Sequence, residues 1–278
     1  MTFHKSIAGK IRAGNKPGKA GLNASKGGQL RRWAGTVPTA YWKVEGIGDS
    51  ATTLPDTSKR GLGLDGTLAG TVSTGAGNAK TWNTANTPAG SFQSLYFNGT
   101  DNKVTIPYNS ALKFNNSVKK MSIAMWVKTT ANGEYFLISE VDANAGDAGW
   151  VYCAVGVGVA NKATAYWNST VGPGWRGSTT TVNDDVWHHI VHVYEGDNSL
   201  KIYVDGNHET TNTGQSGNLI DNNVPILLGY RRVGGAVYYQ YYMDEMAYWT
   251  DRVLTESQIK DLYNLGTSRN SAAGIARG

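Results

Sequence analysis

Hydrophobic side chains in this chain recur at every second position, over many short stretches separated by turn residues. In "SIAMWVKT" (122–129), Ile123, Met125 and Val127 fall on one face of an extended segment, and Ala124 and Trp126 on the other. "WHHIVHVYEG" and "LKIYVDG" repeat the pattern and read as a hairpin joined through Asp197, Asn198 and Ser199. "SLYFNG", "KVTIP", "EYFLISE", "GWVYCAVGV", "KATAYWN", "PILLGYR" and "AVYYQYYMDEMAYW" are further segments of the same kind. A period of two kept up over so many short segments restricts the chain to an all-β fold, a two-sheet antiparallel sandwich. Trp126, Trp187, Val191, Ile202 and Leu262 are expected to be buried in its core.

Helical spacing is found in one place. Thr255 and Gln258 have the separation of a capping box, Ile259, Leu262 and Tyr263 form one apolar stripe, and Gly266 stands where a helix end favours a left-handed residue. One short C-terminal helix is expected to cover an edge or end of the sandwich.

Charge divides the chain. Of 26 Lys and Arg residues, eight (Lys5, Lys10, Arg12, Lys16, Lys19, Lys26, Arg31 and Arg32) lie within residues 1–36, and the first acidic residue is Glu45. The same stretch has seven glycines and few large apolar side chains, among them Ile7, Ile11 and Leu22, with Trp33 near its end. It cannot bury enough surface to fold alone. The expected organisation is a basic, glycine-rich N-terminal arm (1–37), one sandwich (38–267) and a short tail (268–278). No run of 18 or more apolar residues is present and the first residues lack the apolar stretch of an export signal, which favours neither a membrane span nor secretion. Cys153 is the only cysteine, so no internal disulfide can form.

The succession "SLYFNGTDNKVTIP", "MSIAMWVKT", "VWHHIVHVYEGDNSLKIYVDGN", "ILLGYR" and "MDEMAYWTDRVLTESQIKDLYNLG" resembles the laminin-G-like domains of the concanavalin A-like lectin/glucanase superfamily. The resemblance implies a concanavalin A-like jelly roll over about residues 38–266, with the helix placed after the last strand. It also implies a structural calcium near the sheet rim, for which Asp56 and Asp244 occupy the matching positions, although "GLGLDG" lacks the asparagine usual before the Asp-Gly pair.

Catalysis is not expected. Glucanases of the superfamily carry alternating Glu, Asp and Glu on one strand; "EVDAN" offers Glu140 and Asp142 but ends on Asn144, and an amide can neither protonate a leaving group nor attack. His188 and His189 are strand neighbours on opposite faces, and His188 and His192 stand about 13 Å apart along one face, too far to share a zinc ion. Sugar or interface contacts are expected at Trp175 and Arg176, in a loop the core does not need, and along the strip Tyr238, Tyr239, Tyr241 and Tyr242.

The leading functional expectation is a non-enzymatic structural or decoration protein of a tailed-phage virion, made in the host cytoplasm and oligomeric within the particle. The arm would bind capsid or tail subunits through its eight cations, Ile7, Ile11, Leu22 and Trp33. A carbohydrate-binding adhesion module of a tail fibre or bacterial surface is the second expectation, a glycan hydrolase the third. The arm lacks the interleaved aromatics of a nucleic-acid binder.

Overall fold

The computed structural model describes residues 37–45, 47, 51–70, 82–83, 88, 93–112, 120–130, 132–140, 152–166, 169–171, 175–195, 199–213, 216–219, 223–231, 236–250 and 252–264. The arm, Asp142, Asn144 and Gly266 lie outside them. Two eight-stranded antiparallel sheets form the sandwich. In the first, which carries the helix, the order is Asn207–Thr213, Ser199–Val204, His188–Tyr194, Met121–Lys128, Gln240–Thr250, Ser94–Asn98 and Trp82–Asn83, with Ala40–Trp42 also pairing along Gln240–Thr250. In the second it is Arg176–Thr181, Lys162–Tyr166, Tyr152–Val155, Tyr135–Ser139, Ile226–Leu228, Lys103–Ile106, Gly66–Ala69 and Thr53–Leu54.

Alternation sends each strand's side chains to two different places. Ile123, Met125, Val127, Ile190, Ile202 and Met243 point inward from the first sheet and meet Ile138, Cys153, Val155 and Leu228 of the second in the main core. Ala124, Val191, Val193, Tyr203, Ala247 and Trp249 point outward, and Leu254, Ile259 and Leu262 cover them as a second core. The expectation of a single core is corrected here: Ile202 belongs to the inner cluster, and Val191 and Leu262 to the outer one. The helix likewise lies across the sheet's outer face and not on its edge, because the row from Ala124 to Trp249 would otherwise leave a large apolar patch in water.

The helix spans 256–264. Its capping box is closed in both directions: the Thr255 N–H donates to Gln258 Oε1 at 2.9 Å and the Gln258 N–H to Thr255 Oγ1 at 3.3 Å. Trp126 is buried, tilted by 43° at 5.1 Å against His189 and stacked at 5.9 Å on Tyr263 of the helix. Trp187 departs from its expected core position. It immediately precedes the strand His188–Tyr194, lies beyond the reach of the helix and is only half-buried.

Candidate functional site

Among the described residues, the helix packs on one part of the first sheet's outer face, and a neighbouring part is aromatic and half-buried. On "SLYFN", Leu95 and Phe97 fill the core, which turns Tyr96 outward; on the last strand Tyr241 and Met243 go in, which turns Gln240 and Tyr242 out. The register places Tyr242 opposite Tyr96 on one side and Lys128 on the other. The two tyrosine rings are 4.7 Å apart and tilted by 33°, and Trp187 meets Tyr242 edge-on at 6.3 Å. All three rings are half-buried.

Polar groups rim this surface. The Gln240 Nε2 amide donates to the Tyr96 hydroxyl at 2.9 Å, and Lys128 Nζ pairs with Asp185 Oδ1 at 3.1 Å. Trp187 Nε1 is buried and makes no hydrogen bond. Val186, 54% exposed, stands next to it at the tip of the segment 183–187. Aromatic faces bordered by an amide, hydroxyls and an ion pair can accept the C–H face of a pyranose while bonding its hydroxyls.

The tyrosine strip divides by parity. Tyr242 belongs to the outward surface, and Tyr238 meets Tyr230 at 4.8 Å with the rings tilted by 50°. Tyr241 is a core residue: its hydroxyl donates to the Leu137 carbonyl at 2.9 Å and accepts from the Gly229 N–H at 2.8 Å. Tyr239 is also buried, between Tyr135 and Phe136, and burial pushes its phenol up to about 12 against the opposing influence of Arg231. Trp175 corrects its expectation too. It packs on the core, 5.7 Å from Phe136, and lies so close to Gly158 that a side chain there would strike its Cβ at 2.4 Å. Arg176 is exposed and opens the edge strand Arg176–Thr181. Tyr96, Gln240 and Lys128 were not singled out from the sequence, and Trp187 only as a core position; the in-out alternation of "SLYFN" was the available signal for Tyr96.

The residues expected to hold calcium are engaged in the protein's own hydrogen bonds. Asp56 Oδ1 accepts the Tyr41 and Ser58 N–H groups at 3.0 and 2.9 Å, and Oδ2 accepts the Ser58 hydroxyl at 2.8 Å. Asp65 Oδ1 accepts the Asp56 N–H, and Leu64, standing where an oxygen ligand was expected, is a buried core residue whose carbonyl accepts from Trp42 Nε1. Asp244 is fully buried on another strand and accepts the Glu245 N–H at 2.7 Å. Among the described residues no three His, Cys, Asp or Glu side chains could hold a metal, whereas calcium takes six to eight oxygens. Glu140, the described member of "EVDAN", is buried.

The histidines occupy three environments. Burial drives His192 down to about 3, and the neutral ring shares a 2.8 Å hydrogen bond with Cys153 across the main core. Burial likewise lowers His189 to about 4, against the pull of Asp205. His188 sits at the sandwich rim between two carboxylates, with Nδ1 2.8 Å from Asp205 Oδ2 and Nε2 3.1 Å from Asp184 Oδ1. Its burial opposes the charged form, but hydrogen bonds and charges from Asp205 and Asp184 outweigh that and raise its pKa above 6.5.

A laminin G model of the concanavalin A-like lectin/glucanases superfamily matches residues 97–260, more than half of the chain. The chain belongs to this superfamily. Among solved structures, the binding domain of Paraclostridial Mosquitocidal Protein 1 is similar with a TM-score of 0.59 and 16% identity, over 83% of this chain and 53% of that one. The binding domain of Botulinum Neurotoxin DC in complex with SialylT is similar with a TM-score of 0.58 and 13% identity, over 83% and 51%. A structure described by the dependence of botulinum neurotoxin type C cell entry on two ganglioside molecules matches with a TM-score of 0.57 and 13% identity, over 86% and 53%. The chain thus spans about half the length of these structures, and at such identities the likeness is one of fold. No curated protein sequence matches it. The lectin-like sandwich resembles toxin receptor-binding domains.

Proposed function

We propose that the lectin-like sandwich is a non-enzymatic carbohydrate-binding module that holds a sugar ring on Tyr96, Tyr242 and Trp187. The observation that carries this reading is the outward-facing, mutually tilted tyrosine pair, half-buried on the sheet's outer face and bordered by Gln240 and Lys128. The toxin domains lend support as lectin-like folds named for binding, one of them in complex with SialylT. Screening the full chain on immobilised glycans and measuring the best binder by calorimetry tests it. Tyr96→Ala and Tyr242→Ala should each weaken binding at least about fivefold, the effect of losing a little over 1 kcal/mol at a contact hot spot. Tyr108→Ala, an exposed aromatic elsewhere, should not. Retained affinity in both platform variants would dismiss the reading, as would a screen without any binder.

Charge asymmetry favours a second, compatible reading of the arm. Eight cations and no anion within residues 1–36 would be drawn to an acidic assembly over a screening length of about 8 to 10 Å. In this reading the arm anchors the chain to capsid or tail subunits of a tailed-phage virion, and the sandwich is displayed as a decoration or adhesion protein. Deleting residues 1–36 should abolish incorporation into particles while leaving the β-type circular dichroism unchanged. Wild-type occupancy without the arm would reject the anchor.

A further inference from the structure

The aromatic platform is joined to the charged group best placed to respond to pH. Trp187 lies between His188 and the turn 183–185, and every polar residue of that turn is tied down. Asn183 Nδ2 donates to Asn132 Oδ1 at 3.0 Å and to Asn161 Oδ1 at 2.9 Å. Asp184 faces His188 Nε2 and also accepts the Val186 N–H at 3.1 Å. The Asp185 N–H donates to the Thr129 carbonyl, and the Asp185 carboxylate meets Lys128. On the opposite side of the ring, Asp205 accepts from His188 Nδ1 through Oδ2 and from the His189 N–H through Oδ1.

Both ring nitrogens of His188 therefore face carboxylate oxygens. A neutral imidazole has one N–H and one lone pair, so it can satisfy one aspartate only by presenting a lone pair to the other; the imidazolium donates to both. Loss of the proton thus turns one strong contact into a repulsive one. Each aspartate also accepts one backbone N–H, but Asp184 is the more exposed, at 45% against 25% for Asp205, so the contact that gives way is the one to Asp184, on the Trp187 side.

We infer that His188 is a positioning residue for the platform, and that its imidazolium, gripped by Asp184 and Asp205, keeps Trp187 packed against Tyr242, so that ligand recognition strengthens in mildly acidic medium. This rests on the reading of Tyr96, Tyr242 and Trp187 as the sugar surface. Other charges at the latch do not reverse the sign: Lys128 is engaged by Asp185, and His189, on the opposite face of the strand, stays neutral down to about pH 4. The raised pKa of His188 and the lowered pKa of Asp184 fix the window. The latch is closed below the ordinary histidine value of 6.5, opens as pH rises through the raised value, and fails again only when acid protonates Asp184 below its ordinary 3.8.

The test uses the full chain in two measurements. Binding to immobilised cellohexaose, chitohexaose and sialyllactose is followed from pH 5 to 9, with His188→Gln and Asp184→Asn alongside. In parallel, the Trp187 indole N–H resonance, assigned by its loss in Trp187→Phe, is titrated without ligand. Binding should weaken about tenfold between pH 6 and 9, as expected if the competent loop falls to about a tenth of the population. His188→Gln should flatten that profile, and the wild-type indole resonance should move with the same midpoint as the His188 ring protons. Binding that is lost in Tyr242→Ala yet independent of pH would overturn the latch and leave the sugar surface standing. No binding to any glycan would remove the sugar surface, and the indole titration would then decide the latch alone: a resonance that stays still, or that moves equally in His188→Gln, overturns it.

Discussion

Tyr241→Phe removes a single oxygen, and the structure gives that oxygen two partners deep in the main core. The hydroxyl donates to the Leu137 carbonyl at 2.9 Å and accepts the Gly229 N–H at 2.8 Å, with the ring 4.7 Å from Phe97. Phenylalanine keeps the packing and strands a buried carbonyl and a buried amide. Each unsatisfied group costs about 1 to 3 kcal/mol, so the pair should cost about 2 to 4 kcal/mol after partial relaxation. For a domain of this size that is a fall in Tm of about 6 to 12 °C. The control lies one residue on: Tyr242→Phe, with its ring half in water, should fall within about 0.5 kcal/mol of the parent. Urea unfolding followed by circular dichroism reads both, and a lower midpoint at unchanged slope identifies a loss of native stability. A Tyr241→Phe protein as stable as Tyr242→Phe would refute the parity of this strand and, with it, the placement of the platform.

Three further outcomes are expected. Gly229 has φ of 70°, and a Cβ there would lie 2.1 Å from Phe97 Cδ1, so Gly229→Ala should cost about 3 kcal/mol or more and give largely insoluble protein; a soluble variant of parental Tm would show that the core can give way. His189 and His192 are neutral when folded, with values of about 4 and 3 against 6.5 when unfolded, so the unfolded chain takes up protons first and stability falls with pH below 6.5. By pH 4 each should have cost about 3 kcal/mol; His192→Leu should move the acid midpoint lower, and an unmoved midpoint would contradict this. Chelation with EDTA should leave Tm unchanged, because the hydrogen bonds of Asp56 occupy the places calcium would need, and a fall on chelation would reinstate the ion.

What could be read directly from the sequence was whatever local spacing controls. The two faces of "SIAMWVKT", the antiparallel pairing of "WHHIVHVYEG" with "LKIYVDG" and the Thr255–Gln258 capping box all depend on backbone geometry over a few residues, and all three stand in the structure. Alternation also holds enough information to separate Tyr241 from Tyr242, yet four tyrosines in five residues hid it: period two says only that neighbours differ, not which face is inside. That choice belongs to the partners Phe97, Leu137 and Gly229, which are far away in sequence.

The same division explains the other corrections. Trp175 looked dispensable in a Gly-Pro-Gly-Trp-Arg-Gly loop, and only the approach of Phe136 and Gly158 makes it a packing residue. Trp187 looked like a core position, and only the placement of the helix, whose Tyr263 lies over Trp126 and His189, leaves it half-buried against Tyr242. Composition, alternation and capping thus determined an all-β sandwich with one terminal helix, because those signals act through the backbone over a turn or a strand. Which outward residues the helix hides and which it leaves for a ligand were decided by tertiary structure, because each depends on surfaces brought together from strands as much as 144 residues apart.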